Sequence, residues 1–256
     1  LVLNWNNDTQ STFYGELNTS THFSRTHEGN KLQIQTHINP STLIFNDTIW
    51  QMSPSDISYC EKQIEINDFE ISHAPQYILI DGIASNREED ELKIQLNDVD
   101  LDYIFGTLNI KNVTFGGNAT GNLLATHLLT GAPRLSTEQF DVKDFSYNEA
   151  IFGDLHLFSM WDNDNQGILM KGFIENKEDK QTYIDGYIFP TKDSLSLSFD
   201  PDKLNIAFLR PFVSTVMSDI SGIASGHIDF FGRFKALNVT GDAYVENLDF
   251  GIEYLN

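Results

Sequence analysis

GIASGHIDFFGRFKALNVTGDAYVENLDFGIEYL, residues 222–255, decides the reading of this chain. Short runs with apolar side chains on mostly alternate positions are joined by tight glycine turns. Residues two apart share a face of a strand, so the stretch predicts strands with one apolar side. Its opening, Gly222-Ile-Ala-Ser-Gly226, has a weaker copy in Gly117-Asn-Ala-Thr-Gly121. A shift of 105 residues sets Leu101 on Ile206, Tyr103 on Phe208, Phe115 on Ile220 and Gly117 on Gly222. Two residues fewer set Val142 on Val245 and Phe145 on Leu248. Two units, about 101–148 and 206–251, therefore repeat one β pattern.

The same alternation runs through the rest of the chain. It is clean in Leu32-Gln-Ile34-Gln-Thr-His-Ile38, Ile64-Glu-Ile66, Leu92-Lys-Ile94-Gln-Leu96, Leu155-His-Leu157 and Leu195-Ser-Leu197-Ser-Phe199. That is the mark of an antiparallel sheet covered on one side, not of a buried parallel one. Turns are expected at Asn6–Asp8, Glu28–Asn30, Asn86–Asp90, Asp162–Gly167 and Lys177–Lys180. Helix signals are confined to Pro211–Asp219 and a short turn at Asp100–Gly106. No Pro-rich or Gly/Ser-rich linker divides the chain, so residues 1–256 are expected to form one continuous, elongated β segment. Starting at Leu1 without Met, and stopping just after a strand pattern, it reads as a piece of a longer protein.

The chain has 256 residues, 40% of them hydrophobic, which is ample for a core. The 37 acidic against 16 basic side chains leave a net charge of −21, which argues against nucleic acid and against docking on anionic lipid headgroups. Those carboxylates keep a long apolar-cored sheet in solution. Cys60 stands alone, so no internal disulfide can form. No apolar run is long enough for a membrane-spanning helix.

Enzymatic signatures are missing, and no enzyme, cofactor or metal is expected. There is no GxSxG, HExxH, phosphate loop or post-strand GxGxxG. His22, His27, His37, His73, His127, His156 and His227 lack paired ligand spacing. Asp162-x-Asp164-x-x-Gly167 opens like a calcium loop, but Phe173 occupies the position that should hold glutamate. Asp98, Asp100 and Asp102 would share one face if extended, and read as a solvated strand edge. Asn7, Asn18, Asn46, Asn112, Asn118 and Asn238 each head an Asn-x-Ser/Thr triplet, and read as turn residues.

The run Leu209-x-Pro-Phe212, a short helix, Gly222–Gly226, Phe231-Gly232 and Gly241-Asp-Ala-Tyr-Val245, closing on Tyr254-Leu255, resembles translocation and assembly module proteins of the TamB type. So do Asn46–Trp50, Gln76–Gly82 and Val142–Phe145. These belong to the AsmA-like, repeating β-groove group of double-membraned bacteria. The likeness covers roughly residues 30–256 and rests on many apolar and glycine positions. It implies an all-β, elongated, antiparallel-rich sheet curled into a trough, in the periplasm. It also implies an inner-membrane anchor outside this segment and an Omp85/TamA-type outer-membrane barrel as partner, again through other regions. The implied work is phospholipid transport between the two membranes, assembly of outer-membrane proteins, or both. The occupant of the trough would be a phospholipid or an apolar client strand.

Groove-lining candidates follow from the alternation: Ile64, Ile66, Leu79, Ile94, Leu96, Leu155, Leu157, Leu195, Leu197 and Phe199. The competing reading is an extracellular β-sandwich for binding or adhesion, with Trp5, Trp50 or Trp161 as an exposed aromatic platform.

Overall fold

The computed structural model describes residues 2–6, 12–45, 47–103, 115–130, 133–147, 150–210, 218–234 and 236–251. The protein is all-β, and every strand pairing among these residues is antiparallel. In chain order the strands are β1 (Val2–Asn6), β2 (Thr12–Glu16), β3 (Thr19–Arg25), β4 (Leu32–Ile38), β5 (Ser41–Phe45), β6 (Thr48–Met52), β7 (Ser55–Cys60), β8 (Gln63–His73), β9 (Gln76–Ala84) and β10 (Glu91–Asp100). There follow β11 (Phe115–Thr126), β12 (Arg134–Tyr147), β13 (Ala150–Asp162), β14 (Gly167–Glu175), β15 (Gln181–Phe189), β16 (Ser194–Asp200), β17 (Leu204–Asn205), β18 (Ser218–Arg233) and β19 (Ala236–Gly251). Among the described residues, helix is limited to single turns at Pro190–Lys192, Ile206–Leu209 and residues 101–103. None is long and apolar enough to cross a membrane. Of the helix expected over Pro211–Asp219, residues 211–217 lie outside the described residues, and Ser218–Asp219 open β18 instead. Where a single elongated body was expected, the contacts group the chain into two compact units. The first is Leu1–Lys111 with Ala119–Thr137, the second Asn112–Asn118 with Glu138–Asn256.

In the first unit, three neighbouring strands are each interrupted at the same level. β2 and β3 lie end to end across Leu17-Asn18, β5 and β4 across Asn39-Pro40, and β6 and β7 across Ser53-Pro54. Proline cannot donate to a ladder, which explains two of the three gaps. The gaps are bridged by Asn39 N–H to the Asn18 carbonyl (2.9 Å), Asn18 N–H to Ser41 Oγ (2.9 Å) and Ser53 N–H to the Glu70 carbonyl (2.9 Å). β8 runs past this seam unbroken but bulges there. Ile66 faces Gly82 and Phe69 faces Ile80, so Asn67 and Asp68 together face Asp81.

The bulge turns on Asp68, whose left-handed φ of 51° would be costly for most side chains; its N–H donates to Asp81 Oδ1 at 3.2 Å.

 Asp68 (φ 51°), Asp98 (φ 52°), Asp144 (φ 50°) and Asn247 (φ 52°) share this left-handed backbone, in each case just before an apolar residue. Asx side chains tolerate that conformation better than most. The extra residue restores the apolar face after the bulge, so Ile66 and Phe69, or Val245 and Leu248, lie on one side at a spacing of three. Both repeat positions noted in the sequence, Val142 to Phe145 and Val245 to Leu248, span such a residue.

The first unit's core gathers along the seam: Ile38, Leu43, Trp50, Met52 and Ile71, with Leu17, Phe45, Ile57, Phe69, Ile78 and Tyr103 packed against it. Trp50 is 1% exposed, ringed by Phe45 (5.9 Å), Tyr103 (5.7 Å) and His73 (6.0 Å). Its indole N–H has no hydrogen-bond partner.

The second unit holds a meander, β13-β14-β15-β16, continued by β18 and β19. β17 sits beside β18 beyond the end of β16, with the gap at Pro201–Lys203 closed by Gly226 N–H to the Pro201 carbonyl (3.0 Å) and Lys203 N–H to Ser225 Oγ (3.0 Å). Ile206, Ile220 and Ala224, with Leu209 and Val245, form a small cluster under the turn at Ile206–Leu209.

Candidate functional site

Register turns the second unit's alternation into a continuous surface. One row across six strands reads Leu157, Gly172, Ile184, Phe199, Ile228, Gly241. The next reads Ser159, Met170, Gly186, Leu197, Phe230, Val239, and the third Trp161, Ile168, Ile188, Leu195, Gly232, Leu237. Leu155 and Ile174 begin a fourth. Only Ser159 and, in the fourth row, Thr182 interrupt the apolar character.

Burial on this face is uneven. Leu155, Ile168, Ile174, Ile184, Ile228 and Phe230 are buried by their neighbours, whereas Leu157, Met170, Leu195, Leu197 and Phe199 are half-buried and Val239 is exposed. Phe199 meets Phe230 edge-to-face at 5.3 Å. Among the described residues of this unit, the turn at Ile206–Leu209 is the helical element packed against β18. At a strand spacing of ~4.8 Å the six strands give a face about 24 Å wide.

Glycine shapes the surface. Gly172 and Gly186 stand next to Leu157 and Leu197 in register, leaving low points between large side chains. Gly186 has φ +146°, and a Cβ there would run into the Ser196 carbonyl oxygen, so the backbone itself requires glycine.

The sequence-derived candidates sort by register. Leu155, Leu157, Leu195, Leu197 and Phe199 share the second unit's apolar face. Ile64, Ile66, Ile94 and Leu96 share the first unit's, in rows with Ala84, Gly82, Ile80 and Ile78. Leu79 does not join them: it faces Gln95 and Glu70 and lies on the opposite side of β9. The run Tyr77-Ile-Leu-Ile80 is apolar throughout, so its sequence carries no alternation from which to choose a face. Trp50 is a core residue, and Trp161 lies half-buried with Nε1 donating to Asn163 Oδ1 at 3.1 Å. The side chain of Trp5 lies outside the described residues.

The other face of the meander carries paired polar groups. His156 Nδ1 meets Asp141 at 2.7 Å and His227 Nδ1 meets Asp200 at 2.6 Å, while in the first unit His37 Nδ1 meets Asp56 at 2.8 Å. The hydrogen bond to the Asp200 carboxylate, with the charges of Asp229 and Asp200, raises the His227 pKa against a lowering by desolvation. His227, Asp229 and Ser198 are adjacent, but Ser198 Oγ donates to Asp229 (2.5 Å), not to the imidazole. A nucleophilic triad needs the hydroxyl on the histidine. Asp162 accepts from the backbone N–H groups of Asp164 (2.8 Å) and Asn165 (3.1 Å) and from Tyr187 Oη–H (3.0 Å), which closes the β13–β14 turn. Hydrogen bonds from the Asn165 side chain and backbone lead in lowering its carboxyl pKa to about 2.

Asp98, Asp100 and Asp102 do not share a strand face. Asp98 takes the left-handed kink, and Asp100 Oδ1 caps the helical turn by accepting from Asp102 N–H at 2.9 Å. Burial, then the charge of Asp100, raises the pKa of Asp102. No group of three or more His, Cys, Asp or Glu side chains among the described residues could hold a metal ion. An open cavity of about 460 Å³ lies beside Gly153, Asn176, Lys203, Asn205 and Glu246. Of the two lysines that line it, Lys203 pairs with Glu178 at 2.9 Å. No protein-family model, no curated protein and no solved structure matches this chain.

Proposed function

We propose that this chain is a periplasmic segment of a TamB-like, repeating β-groove protein whose apolar face carries phospholipid acyl chains between the inner and outer membranes. The observation that carries this reading is the second unit's rows of apolar side chains across six strands, with Leu157, Leu195, Leu197, Phe199 and Val239 left partly open. The curled trough, the inner-membrane anchor and the Omp85-type partner belong to the same proposal and rest on the sequence resemblance.

The energetics favour such a surface. Moving an acyl chain of ~16 carbons through water costs about 0.8 kcal/mol per methylene, or on the order of 13 kcal/mol. An apolar floor removes most of that cost while the headgroup stays in water. A leaflet's hydrocarbon depth is ~15 Å, half of the bilayer core, so a face about 24 Å wide has room for one chain laid across the strands. Such a conduit works by contact alone and needs no reacting side chain.

The test is photo-crosslinking in cells from Leu157, Leu197 and Ile94, with Leu79 and Asp185 as positions on the opposite faces of their strands. Phospholipid adducts at the first three and none at the last two are expected. Equal adducts on both faces, or none at any position in folded protein, would overturn the reading.

A further inference from the structure

The second unit carries aromatic rings where strand alternation calls for polar side chains. In the first unit the side turned away from the core is polar: Gln33, Gln35 and His37 of β4 stand opposite Cys60, Ser58 and Asp56 of β7. In the second, the side of β13, β14, β15, β16 and β18 turned away from the apolar rows carries Phe158, Phe173, Tyr183, Tyr187, Phe189 and Phe231. Tyr183 is 55% exposed, Phe231 40% and Phe158 36%. Phe173 stands between His156 (4.7 Å) and Tyr183 (6.4 Å), and Tyr187 stacks with Phe189 at 5.8 Å. Single exposed hydrophobes are ordinary on a surface, whereas a contiguous group of them marks a contact site.

Charge on the same side has one dominant sign. Asp154, Asp162, Glu175, Asp185, Asp200 and Asp229 share it with Lys171 and Arg233. Lys171 meets Asp185 at 3.3 Å with both side chains exposed, and a pair of that kind holds weakly. An anionic lipid surface or a nucleic acid is repelled by such a face. A cation is not, and the protein supplies its own example: Lys192 Nζ lies 4.7 Å from the centre of the Phe189 ring. The negative face of an aromatic ring attracts a cation placed over it.

We propose that this side of the second unit binds an extended, arginine-rich segment of another polypeptide. A guanidinium is flat, so it stacks on Tyr183 or Phe158, and its fork of donors suits the carboxylates set between the rings. Five strands ~4.8 Å apart span about 19 Å, the reach of about six extended residues. The site lies on the side of the strands opposite Leu157 and Leu197 and does not depend on the lipid reading.

The experiment titrates the whole chain with peptides of about nine residues, repeating Arg-Gly-Ser, Lys-Gly-Ser or Gln-Gly-Ser. NMR shifts are followed at low salt and at ~0.5 M salt. The arginine peptide is expected to move the signals of Tyr183, Asp185 and their neighbours, to bind more tightly than the lysine peptide, and to weaken as salt rises. The glutamine peptide is expected to move none. Tyr183→Leu keeps an apolar side chain but removes the ring, and should weaken the arginine peptide about two- to fivefold. Tyr183→Phe should bind as wild type does, and both variants should keep the wild-type melting temperature because the side chain is exposed. The inference is overturned by equal binding of the glutamine peptide, by undiminished binding to Tyr183→Leu, or by no shifts on this face with any peptide. It is equally overturned if a neutral oligosaccharide or anionic vesicles bind there and the arginine peptide does not, or if the shifts follow protein concentration alone, the mark of a second copy. Lipid adducts at Leu157 and Leu197 report on the opposite side, so either proposal can fail alone.

Discussion

The two units treat one kind of apolar face in opposite ways. In the first, Trp50, Phe45 and Tyr103 crowd the seam, and the largest side chain is 1% exposed. In the second, glycines at 172, 186, 232 and 241 interrupt the rows, and Leu157, Leu195, Leu197 and Phe199 keep part of their surface free. Alternation alone therefore does not decide whether a sheet face is filled or available. The size of the residues in register, and what the neighbouring turn lays over them, decides it.

The largest effect is expected from removing the filling. Trp50→Ala deletes a buried aromatic and should cost ~3–5 kcal/mol in denaturant unfolding. Trp50→Phe sharpens the comparison, because it also removes an indole N–H that lacks a partner. An unsatisfied buried donor costs about 1–3 kcal/mol, which offsets much of the lost contact, so the variant should stay within ~1.5 kcal/mol of wild type. A loss as large as that of the alanine variant would show that the N–H has found water.

Next comes the glycine that keeps the second face low. Gly186→Ala forces a Cβ against the Ser196 carbonyl at a φ of +146°, and strain of this kind costs about 1–3 kcal/mol. Unfolding followed by tryptophan fluorescence would measure it. A neutral substitution would mean that the strand can relax and that backbone geometry does not fix this position.

Smaller still is the turn closed by Asp162. Its pKa is lowered from 3.8 to about 2, so its stabilisation is present above about pH 4 and is lost as the pH falls through about 2. Asp162→Ala should speed amide exchange at Asp164 and Asn165 at neutral pH and make little difference at the acid extreme. Equal effects at both pH values would sink this account.

The smallest effect belongs to His227. A pKa raised in the fold gives stabilisation that is full below the ordinary histidine value of ~6.5 and lost as the pH climbs through the folded value. The melting-temperature gap between wild type and His227→Gln should therefore be wider at mildly acidic than at alkaline pH. A gap that widened towards alkaline pH would contradict the pairing with Asp200.

Much of this was legible in the residues. Leu92-x-Ile94-x-Leu96 and Leu195-x-Leu197-x-Phe199 named their own faces, because a polar residue separates each apolar pair. The turns at Glu28–Asn30, Asp162–Gly167 and Lys177–Lys180 were marked by Asn, Asp and Gly. Leu79 was misplaced among the groove candidates for want of any polar neighbour to set its phase. The left-handed Asp68, Asp98, Asp144 and Asn247 escaped notice, since an Asx residue inside a strand looks like one more polar position. What betrays them is the apolar spacing of three across each. Trp50 was readable as core or as platform, and only the packing of Tyr103 and Phe45 upon it decides between the two.

The seam of the first unit has one further consequence. In a sheet of monotonous alternation, sliding a strand by two positions preserves which side is greasy and so is a cheap mistake. Here Pro40 and Pro54 sit level with Asn18 and with the kink at Asp68. A two-residue slip would push a proline into a neighbour's ladder and strand the kink opposite regular backbone. The interruptions thus serve as alignment marks, letting a repetitive surface be assembled in one frame only.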